Sequence, residues 1–325
     1  MGNYIVTGAA GFIGARTSEL LIEQGHTVTG VDNVNEAYDV RLKEYRLNRL
    51  RRLPGFTFAR VDIADKEAAA SELAGEYDGL INLAAWAGVR ASVENPWRYV
   101  ESNVLGTLNM LELCRRHQIP KFILASTSSI YGANPPYPTP ETASSSEPLQ
   151  PYAASKKGAE ALAHAYHHLH GIDTTVLRFF TVYGPAGRPD LALFRFTQWI
   201  SEGQPVRVNG DGEQSRGFTY IEDIALGIIA ALRPLGYEII NLGGHEVITI
   251  NDLIKLVEEA VGKKAQVKHG PPSLADMRTN WADVSKAGAL LEWQPQVGLR
   301  EGVQRLVQWY NNERKWAREI RTSDQ

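Results

Sequence analysis

Short apolar runs alternate with amphipathic stretches through the first half of the chain. Runs rich in β-branched or apolar residues at Tyr4 to Thr7, Thr27 to Val31, Thr57 to Val61, Gly79 to Leu83, Lys121 to Ser126 and Asp173 to Arg178 read as strands. Between them, segments with apolar residues at helical spacing begin near Phe12, Val40, Lys66, Trp97 and Pro151. Strands separated in this way predict right-handed βαβ units and a parallel sheet, with ligands in the crevice beyond the carboxyl ends of the strands.

The rhythm changes after Thr181. Gly184, Pro185, Gly187 and Pro189 mark a loop, and helical patterns follow at Leu191 to Glu202, Glu222 to Leu232, Ile250 to Val261 and Leu299 to Asn312, mixed with short isolated strands. The expectation is an α/β protein: a Rossmann-type doubly wound parallel sheet over residues 1–180, and a smaller α/β lobe over 181–325 that closes over the first or interleaves with it. Ala133 to Gln150, rich in Pro, Ser and Thr, reads as an exposed loop, and Arg318 to Gln325 as a frayed end.

Composition narrows the partners. With 325 residues and 43% hydrophobic side chains the chain can bury a sizeable core. A net charge of -3 gives no basic bias toward nucleic acid or anionic membrane, so a small molecule is the expected partner. The first strand starts without a charged leader, and no apolar run approaches the ~18 residues of a membrane span, which predicts a soluble protein. The one cysteine, Cys114, excludes an internal disulfide and fits a reducing cytoplasm; among Leu108, Leu111 and Leu113 it reads as a buried, inert thiol.

Three groups of residues carry chemistry. The first strand runs into Gly8-Ala9-Ala10-Gly11-Phe12-Ile13-Gly14, which opens a helix. Glycines there allow a tight turn and a close backbone approach to a pyrophosphate, which rests on the free N–H groups of the helix start. Asp32, closing the second strand, would accept from ribose hydroxyls and repel a 2'-phosphate, which favours NAD over NADP. Next, Tyr152 and Lys156 lie four residues apart on one face of a helix, where a cation favours the phenolate and makes Tyr152 a candidate general base. Finally, Ser126-Thr127-Ser128-Ser129 puts four hydroxyls at a strand end with no carboxylate among them.

The glycine turn, Asp32-Asn33, Asp62-Ile63, Leu83-Ala84-Ala85, the hydroxyl strand end, the Tyr152/Lys156 pair and Arg178-Phe179-Phe180 together resemble the extended short-chain dehydrogenase/reductase family that acts on nucleotide sugars. The likeness covers nearly the whole chain. It implies that Gly8, Gly11 and Gly14, with Phe12 and Ile13, hold the pyrophosphate, Asp32 and Asn33 the ribose side, and Asp62 and Ile63 the adenine. Leu83, Ala84, Ala85, Asn103 and Phe180 complete the implied cofactor contacts. Tyr152 is then the base, Lys156 binds the nicotinamide ribose and tunes the tyrosine, and Thr127 holds the sugar's reacting oxygen. A homodimer through the helices beginning near Trp97 and Pro151 is expected on the same ground.

Dehydratases of that family place an Asp-Glu pair after the threonine, and its decarboxylases usually carry Glu where this chain has Ser129. Here Ser128 and Ser129 fill both positions, leaving return of the hydride to the other face of C4, that is, epimerisation. Thr181 to Ala192, Ala87-Gly88-Val89-Arg90 and Asn35 with Tyr38-Asp39 are similar to the branch that acts on UDP-glucuronate. Relatives acting on neutral hexoses typically have Asn in place of Thr181 and lack the arginine at Arg188, whose planar fork matches a carboxylate. The resemblance therefore implies interconversion of UDP-glucuronate and UDP-galacturonate. Ser128, Ser129 and Thr181 are expected to donate to the carboxylate, and Arg188 and Arg90 to line this side of the pocket or the phosphates. In the nucleotide-sugar-binding lobe Arg216 is expected at the diphosphate, Val206 and Val208 over the uracil, and Arg278 as a further helper.

Alternatives are an epimerase for a neutral UDP-sugar, a UDP-glucuronate decarboxylase and, in a different class, a non-catalytic NAD-binding regulator. His164 and His168 have the spacing of a metal pair but no third ligand, so they read as a solvated helix face and no metal is expected. Arg41, Lys43, Arg46, Arg49, Arg51 and Arg52 alternate with leucines and read as the polar face of a docked helix, with one cation in possible reach of the cofactor. Trp309, Tyr310 and Trp316 are expected to pack the last helix onto the body.

Overall fold

The structure is a computed structural model that describes residues 1–271 and 279–322. The first half runs β1 (Asn3–Thr7), α1 (Phe12–Glu23), β2 (Thr27–Val31), α2 (Val40–Leu50), β3 (Phe56–Ala59), α3 (Lys66–Glu72), β4 (Gly79–Asn82), α4 (Val89–Glu94) and α5 (Pro96–Tyr99). A π-helical stretch, Val100–Leu105, leads into α6 (Gly106–His117), β5 (Lys121–Thr127), α7 (Pro151–His170) and β6 (Asp173–Phe179). Then follow β7 (Thr181–Tyr183), α8 (Ala192–Glu202), β8 (Val206–Asn209), β9 (Ser215–Tyr220), α9 (Ile221–Ala230), β10 (Tyr237–Leu242), β11 (Glu246–Thr249), α10 (Ile250–Val261), β12 (Val267–Gly270), α11 (Ser285–Leu291) and α12 (Leu299–Ala317).

The large sheet has the order β10-β6-β5-β4-β1-β2-β3, with all pairs parallel. Successive residues of its strands face opposite sides, as the two-residue period of a strand requires. Val6, Ile81, Ile123 and Leu177 join one core, with Leu21 of α1 and Leu42 of α2. Their neighbours Ile5, Leu80, Phe122 and Val176 join a second, with Ala69, Met110 and Ala163 of α3, α6 and α7. Both faces are thereby buried. The strand order reverses between β1 and β4, which sets the ligand crevice there.

Six of the seven strands follow the apolar runs. The seventh, β10, comes from the second half of the chain and pairs with β6 from Tyr237↔Thr174 to Leu242↔Phe179. Its sequence, Tyr-Glu-Ile-Ile-Asn-Leu, is an edge strand with a partly exposed glutamate, too weakly patterned to stand out. Helix α9 of the second half also packs along α1, and the first core continues unbroken into Phe218, Tyr220 and Leu253. The chain therefore crosses residue 180 and returns to the first layer. The remaining strands are not isolated: β11-β9-β7 form one small sheet and β12-β8 another.

The helix expected near Trp97 starts one residue earlier, at Pro96, and contains the π-helical stretch. A π bulge carries no periodic signature and is frequent at functional sites. Here the buried side chain of the stretch is Asn103.

Candidate active site

At the amino end of α1 the turn is shaped by what glycine lacks. Gly8 adopts φ +71°, and a Cβ there would meet the backbone N of Ala84 at 2.8 Å. At Gly14 a Cβ would stand 2.1 Å from the Gly8 carbonyl, so helix and turn could not pack as they do. Gly11 caps α1 with no side chain over the helix start. The first N–H groups of α1 are thus left for a ligand, which suits an anion such as a pyrophosphate. Leu83, Ala84 and Ala85 follow β4 alongside, and Ala84 N–H donates to Thr7 Oγ1 at 3.1 Å.

Asp32 leaves β2 toward this turn, its Oδ2 accepting from Ala10 N–H at 3.1 Å and its Oδ1 from Val34 N–H at 2.8 Å. The carboxylate is held by two backbone donors and could accept from a ribose diol. Asn33 Nδ2 donates to Asp62 Oδ2 at 2.8 Å, next to buried Ile63, which fixes the two loops relative to each other.

The basic run on α2 does not behave as one polar face. Arg41, Arg49 and Arg51 are about half exposed, whereas Lys43 and Arg46 retain only 5% and 4% of their surface. Lys43 and Arg46, three residues apart, join the stripe of Leu42, Leu47 and Leu50 that tucks under the glycine turn. Lys43 Nζ donates to Asn35 Oδ1 at 2.7 Å; burial lowers its pKa, with Asp32 opposing. Arg46 donates to the carbonyls of Ala10 (3.1 Å), Ala186 (3.0 and 2.6 Å) and Gly187 (3.2 Å) and to Tyr38 Oη (2.8 Å). All five guanidinium N–H groups are used, and they tie the glycine turn to the loop that carries Arg188.

The hydroxyl stretch begins at the carboxyl end of β5, beside the switch point. Thr127 Oγ1 accepts from Ser129 N–H and donates to Ser129 Oγ, both at 3.2 Å. Asn280 Nδ2 donates to Ser128 Oγ at 3.2 Å, which leaves the Ser128 proton to point elsewhere. Tyr152, in the first turn of α7, hydrogen-bonds to Thr127 and meets Tyr99 edge-on at 6.1 Å. Lys156 lies one turn on, fully buried, its pKa lowered to about 8 by burial against the opposing charge of Glu160. Asn103 braces the region: it accepts from Trp86 N–H and donates to Trp86 O and Ser155 Oγ, at 2.9, 3.0 and 2.9 Å.

One electrostatic expectation changes. Burial raises the Tyr152 pKa above its ordinary value, and what opposes burial is the hydrogen bond with Thr127 and the charge of Arg188, not Lys156. Arg188 is the cation that faces the phenol, because the loop after β7 folds over the start of α7. It is also paired, with Nε and Nη2 donating to Asp190 at 3.0 and 2.6 Å. A cleft beside it is lined by Phe12, Val182, Gly187 and Leu191.

Other expected contacts scatter. Phe180 packs on Tyr131 beneath the site, and Thr181 opens β7 directly after it. Arg90 is exposed on the first turn of α4. Val206 is 0% exposed and Val208 2%; alternation along β8 turns both into the core and only Arg207 outward, so neither valine reaches the cleft. Arg216 on β9 is half-buried, with Nη1 donating to Ser215 O. Arg278 lies outside the described residues. Sequence reasoning passed over Glu160, Asn280, Tyr99 and the buried role of Arg46. Glu160 continues the four-residue spacing of Tyr152 and Lys156, a signal that was there to use, whereas Asn280 reaches Ser128 only through the fold.

Among the described residues no group of three or more His, Cys, Asp and Glu side chains is placed to hold a metal ion; His164 meets Tyr237 edge-on and His167 packs on it at a tilt. Cys114 is buried, and burial pushes its thiol pKa far up.

A profile of the NAD dependent epimerase/dehydratase family matches residues 4–243. The UDP-glucuronate 4-epimerase of Thermodesulfobacterium geofontis is 53% identical over 312 residues, 95% of this chain and 96% of that one. Among solved structures, UDP-glucuronic acid 4-epimerase from Bacillus cereus in complex with UDP-glucuronic acid and NAD superposes with a TM-score of 0.89 at 35% identity, covering 96% of this chain and 99% of that one. UDP-glucose 4-epimerase from Thermotoga maritima, with UDP-glucose, matches with a TM-score of 0.89 at 33% identity over 96% and 99% of the two chains. With its profile, its relatives and its turn, tyrosine, lysine and hydroxyls in register, this chain belongs to the NAD dependent epimerase/dehydratase family.

Proposed function

We propose that the protein interconverts UDP-glucuronate and UDP-galacturonate by epimerisation at C4, with NAD held throughout the cycle. The observation that carries this reading is the convergence of Thr127, Tyr152 and Lys156 at the ends of β5 and α7, beside two serines where elimination would need acids. The carboxylates brought near are committed: Glu160 to Arg178 and Ser126, Asp190 to Arg188. The relatives acting on UDP-glucuronate support the substrate.

The uncapped start of α1 and the acceptor at Asp32 suit NAD, with Gly8, Gly11, Phe12, Ile13 and Gly14 at its pyrophosphate, Asp32 and Asn33 at its ribose, and Asp62 and Ile63 at its adenine. When bound, NAD supplies the acceptor that takes the C4 hydride and returns it to the opposite face. Tyr152 takes the proton of the C4 hydroxyl and later gives it back, so proton and hydride both return and the sugar undergoes no net oxidation. Thr127 holds the reacting oxygen. Lys156, as a cation, binds the nicotinamide ribose, while Thr127 and Arg188 oppose the burial that disfavours the phenolate.

A 4-keto uronic acid loses CO2 when its carboxylate bond aligns with the carbonyl π system. Ser128, Ser129 and Thr181 hold the carboxylate out of that alignment by donating to it; with its oxygen already accepting from Asn280, Ser128 has its own proton available. Arg216 is assigned to the diphosphate. A neutral UDP-hexose is the competing substrate, favoured by the Arg188–Asp190 pair, which leaves that end of the pocket near neutral. The proposal is tested by denaturing the purified protein and assaying released NAD, then by comparing turnover of UDP-glucuronate and UDP-glucose.

The working unit in this reading is a cytoplasmic homodimer. Among the described residues no helix is long and apolar enough to cross a membrane. Trp97, 75% exposed, lies with exposed Val93, Val100 and Leu105 along α4, α5 and the π-helical stretch, a face suited to a second copy. Size-exclusion chromatography with light scattering checks it.

A further inference from the structure

The first hydroxyl of the stretch is turned away from this chemistry. Ser126 Oγ donates to Glu160 Oε1 at 2.6 Å. Glu160 lies on α7 one turn beyond Lys156, and both of its oxygens also take Arg178, from Nε at 3.0 Å and Nη2 at 2.9 Å. Ser126 and Arg178 are partners across the β5–β6 pairing, so one buried carboxylate clamps two adjacent strands to the catalytic helix. The network continues: Arg178 Nη1 donates to Tyr131 Oη at 3.0 Å, and Tyr131 Oη donates to Asn241 of β10 at 2.6 Å. Thr127 follows Ser126, Tyr152 and Lys156 precede Glu160 on the same helix, and Phe180-Thr181 follow Arg178 and Phe179.

We infer that Glu160 is a positioning residue for the reaction: it fixes Thr127 against Tyr152 and Lys156, and its fixed negative charge keeps the buried Lys156 a cation. This rests on Thr127, Tyr152 and Lys156 being the reacting set. Glu160 is not an acid or base here. Burial alone would raise its pKa, but Arg178 and Ser126 outweigh burial and hold it ionised. The groups that act on Lys156 and Glu160 are Lys157 on α7, Arg178 on β6 and Tyr237 on β10; Tyr131 and Glu141 are reached through Arg178, and the carboxylate that acts on Lys156 is Glu160. A buried lysine lacking such a charge loses its proton toward neutral pH.

The test compares wild type, Glu160→Gln and the doubly neutral Glu160→Gln/Arg178→Gln. The second variant avoids an unpaired buried arginine if the first fails to fold. Two readouts are taken: the pH profile of kcat/KM with UDP-glucuronate, and the titration of Lys156 by NMR of lysine-labelled protein, its signal identified by loss in Lys156→Met. The expected result is a slower enzyme whose alkaline limb and Lys156 titration both move down by about one pH unit or more. Loss of rate with both titrations unmoved would overturn the inference and leave Glu160 a packing residue. If wild type does not turn over UDP-glucuronate, the substrate reading fails, while the NMR titration still decides the role of Glu160.

Discussion

Arg46 grips the carbonyl oxygen of Ala186 with two donors, Nε at 3.0 Å and Nη2 at 2.6 Å, and through Nη1 also holds Ala10 of the glycine turn. The cofactor turn and the loop bearing Arg188 are thereby one mechanical unit. Ala186 sits at φ +52°, a strained conformation for a residue with a Cβ, which this grip helps to maintain.

Arg46→Met should therefore damage both binding functions together. It leaves several buried carbonyls without donors, a cost of about 2–4 kcal/mol in urea unfolding. Retained NAD on purification should fall and KM for the nucleotide sugar should rise in the same variant, whereas Arg49→Met, on the exposed side of α2, should change neither.

In the proposed mechanism Tyr152 is the proton acceptor, and Tyr152→Phe removes it while leaving the ring's packing on Tyr99. The rate constant should fall by about 10²–10⁴-fold with NAD content unchanged. Thr127→Ala should cost about 10–100-fold, the worth of a hydrogen bond to a charged group. Steady-state assays with cofactor quantitation separate these effects from loss of cofactor.

Holding the carboxylate is a separate task from moving the proton. Ser128→Ala and Thr181→Ala should leak CO2 and release a UDP-pentose, detected by mass spectrometry. Asn280→Ala should show a smaller leak of the same kind, because it frees the Ser128 hydroxyl to turn without removing it. Unchanged carbon balance in all three variants would remove these hydroxyls from the role.

Lys156 sets opposite pH trends for activity and stability. Its folded pKa of about 8 lies below its ordinary value. Activity, which needs the cation, should fall as pH rises through about 8. Between that pH and the ordinary lysine range the unfolded chain binds more protons than the folded one, so this group's contribution to stability rises with pH. Subtracting the urea stabilities of Lys156→Met from those of wild type across that range isolates it.

How much of this was legible in the sequence depended on the range of the interaction. The strands from β1 to β6, the glycine turn and the Tyr152/Lys156 spacing are local patterns and stood where the periodicity put them. Strand β10 did not announce itself, because its partner β6 is distant along the chain and its edge position tolerates Glu238. Lys43 and Arg46 looked like a solvated face because charge alone suggests exposure; the burial of Arg46 follows from carbonyls presented by loops far away in sequence, and Lys43 is met by the side chain of Asn35. Val206 and Val208 show the converse, apolar residues assigned to a ligand that strand alternation turns into the core. Tyr152 and Lys156 lie on one face of α7, but the cation whose charge lowers the phenol's pKa, Arg188, arrives from another loop.

The most direct measurement is to incubate the purified protein with UDP-glucuronate, adding no cofactor, and to follow the anomeric NMR signals together with the mass of the nucleotide sugar. A new UDP-uronate of identical mass with galacto configuration is the predicted result, and it requires retained NAD, epimerisation at C4 and a protected carboxylate at once. Loss of CO2 would contradict the role given to the hydroxyls, and inertness toward UDP-glucuronate with turnover of UDP-glucose would contradict the uronate assignment itself.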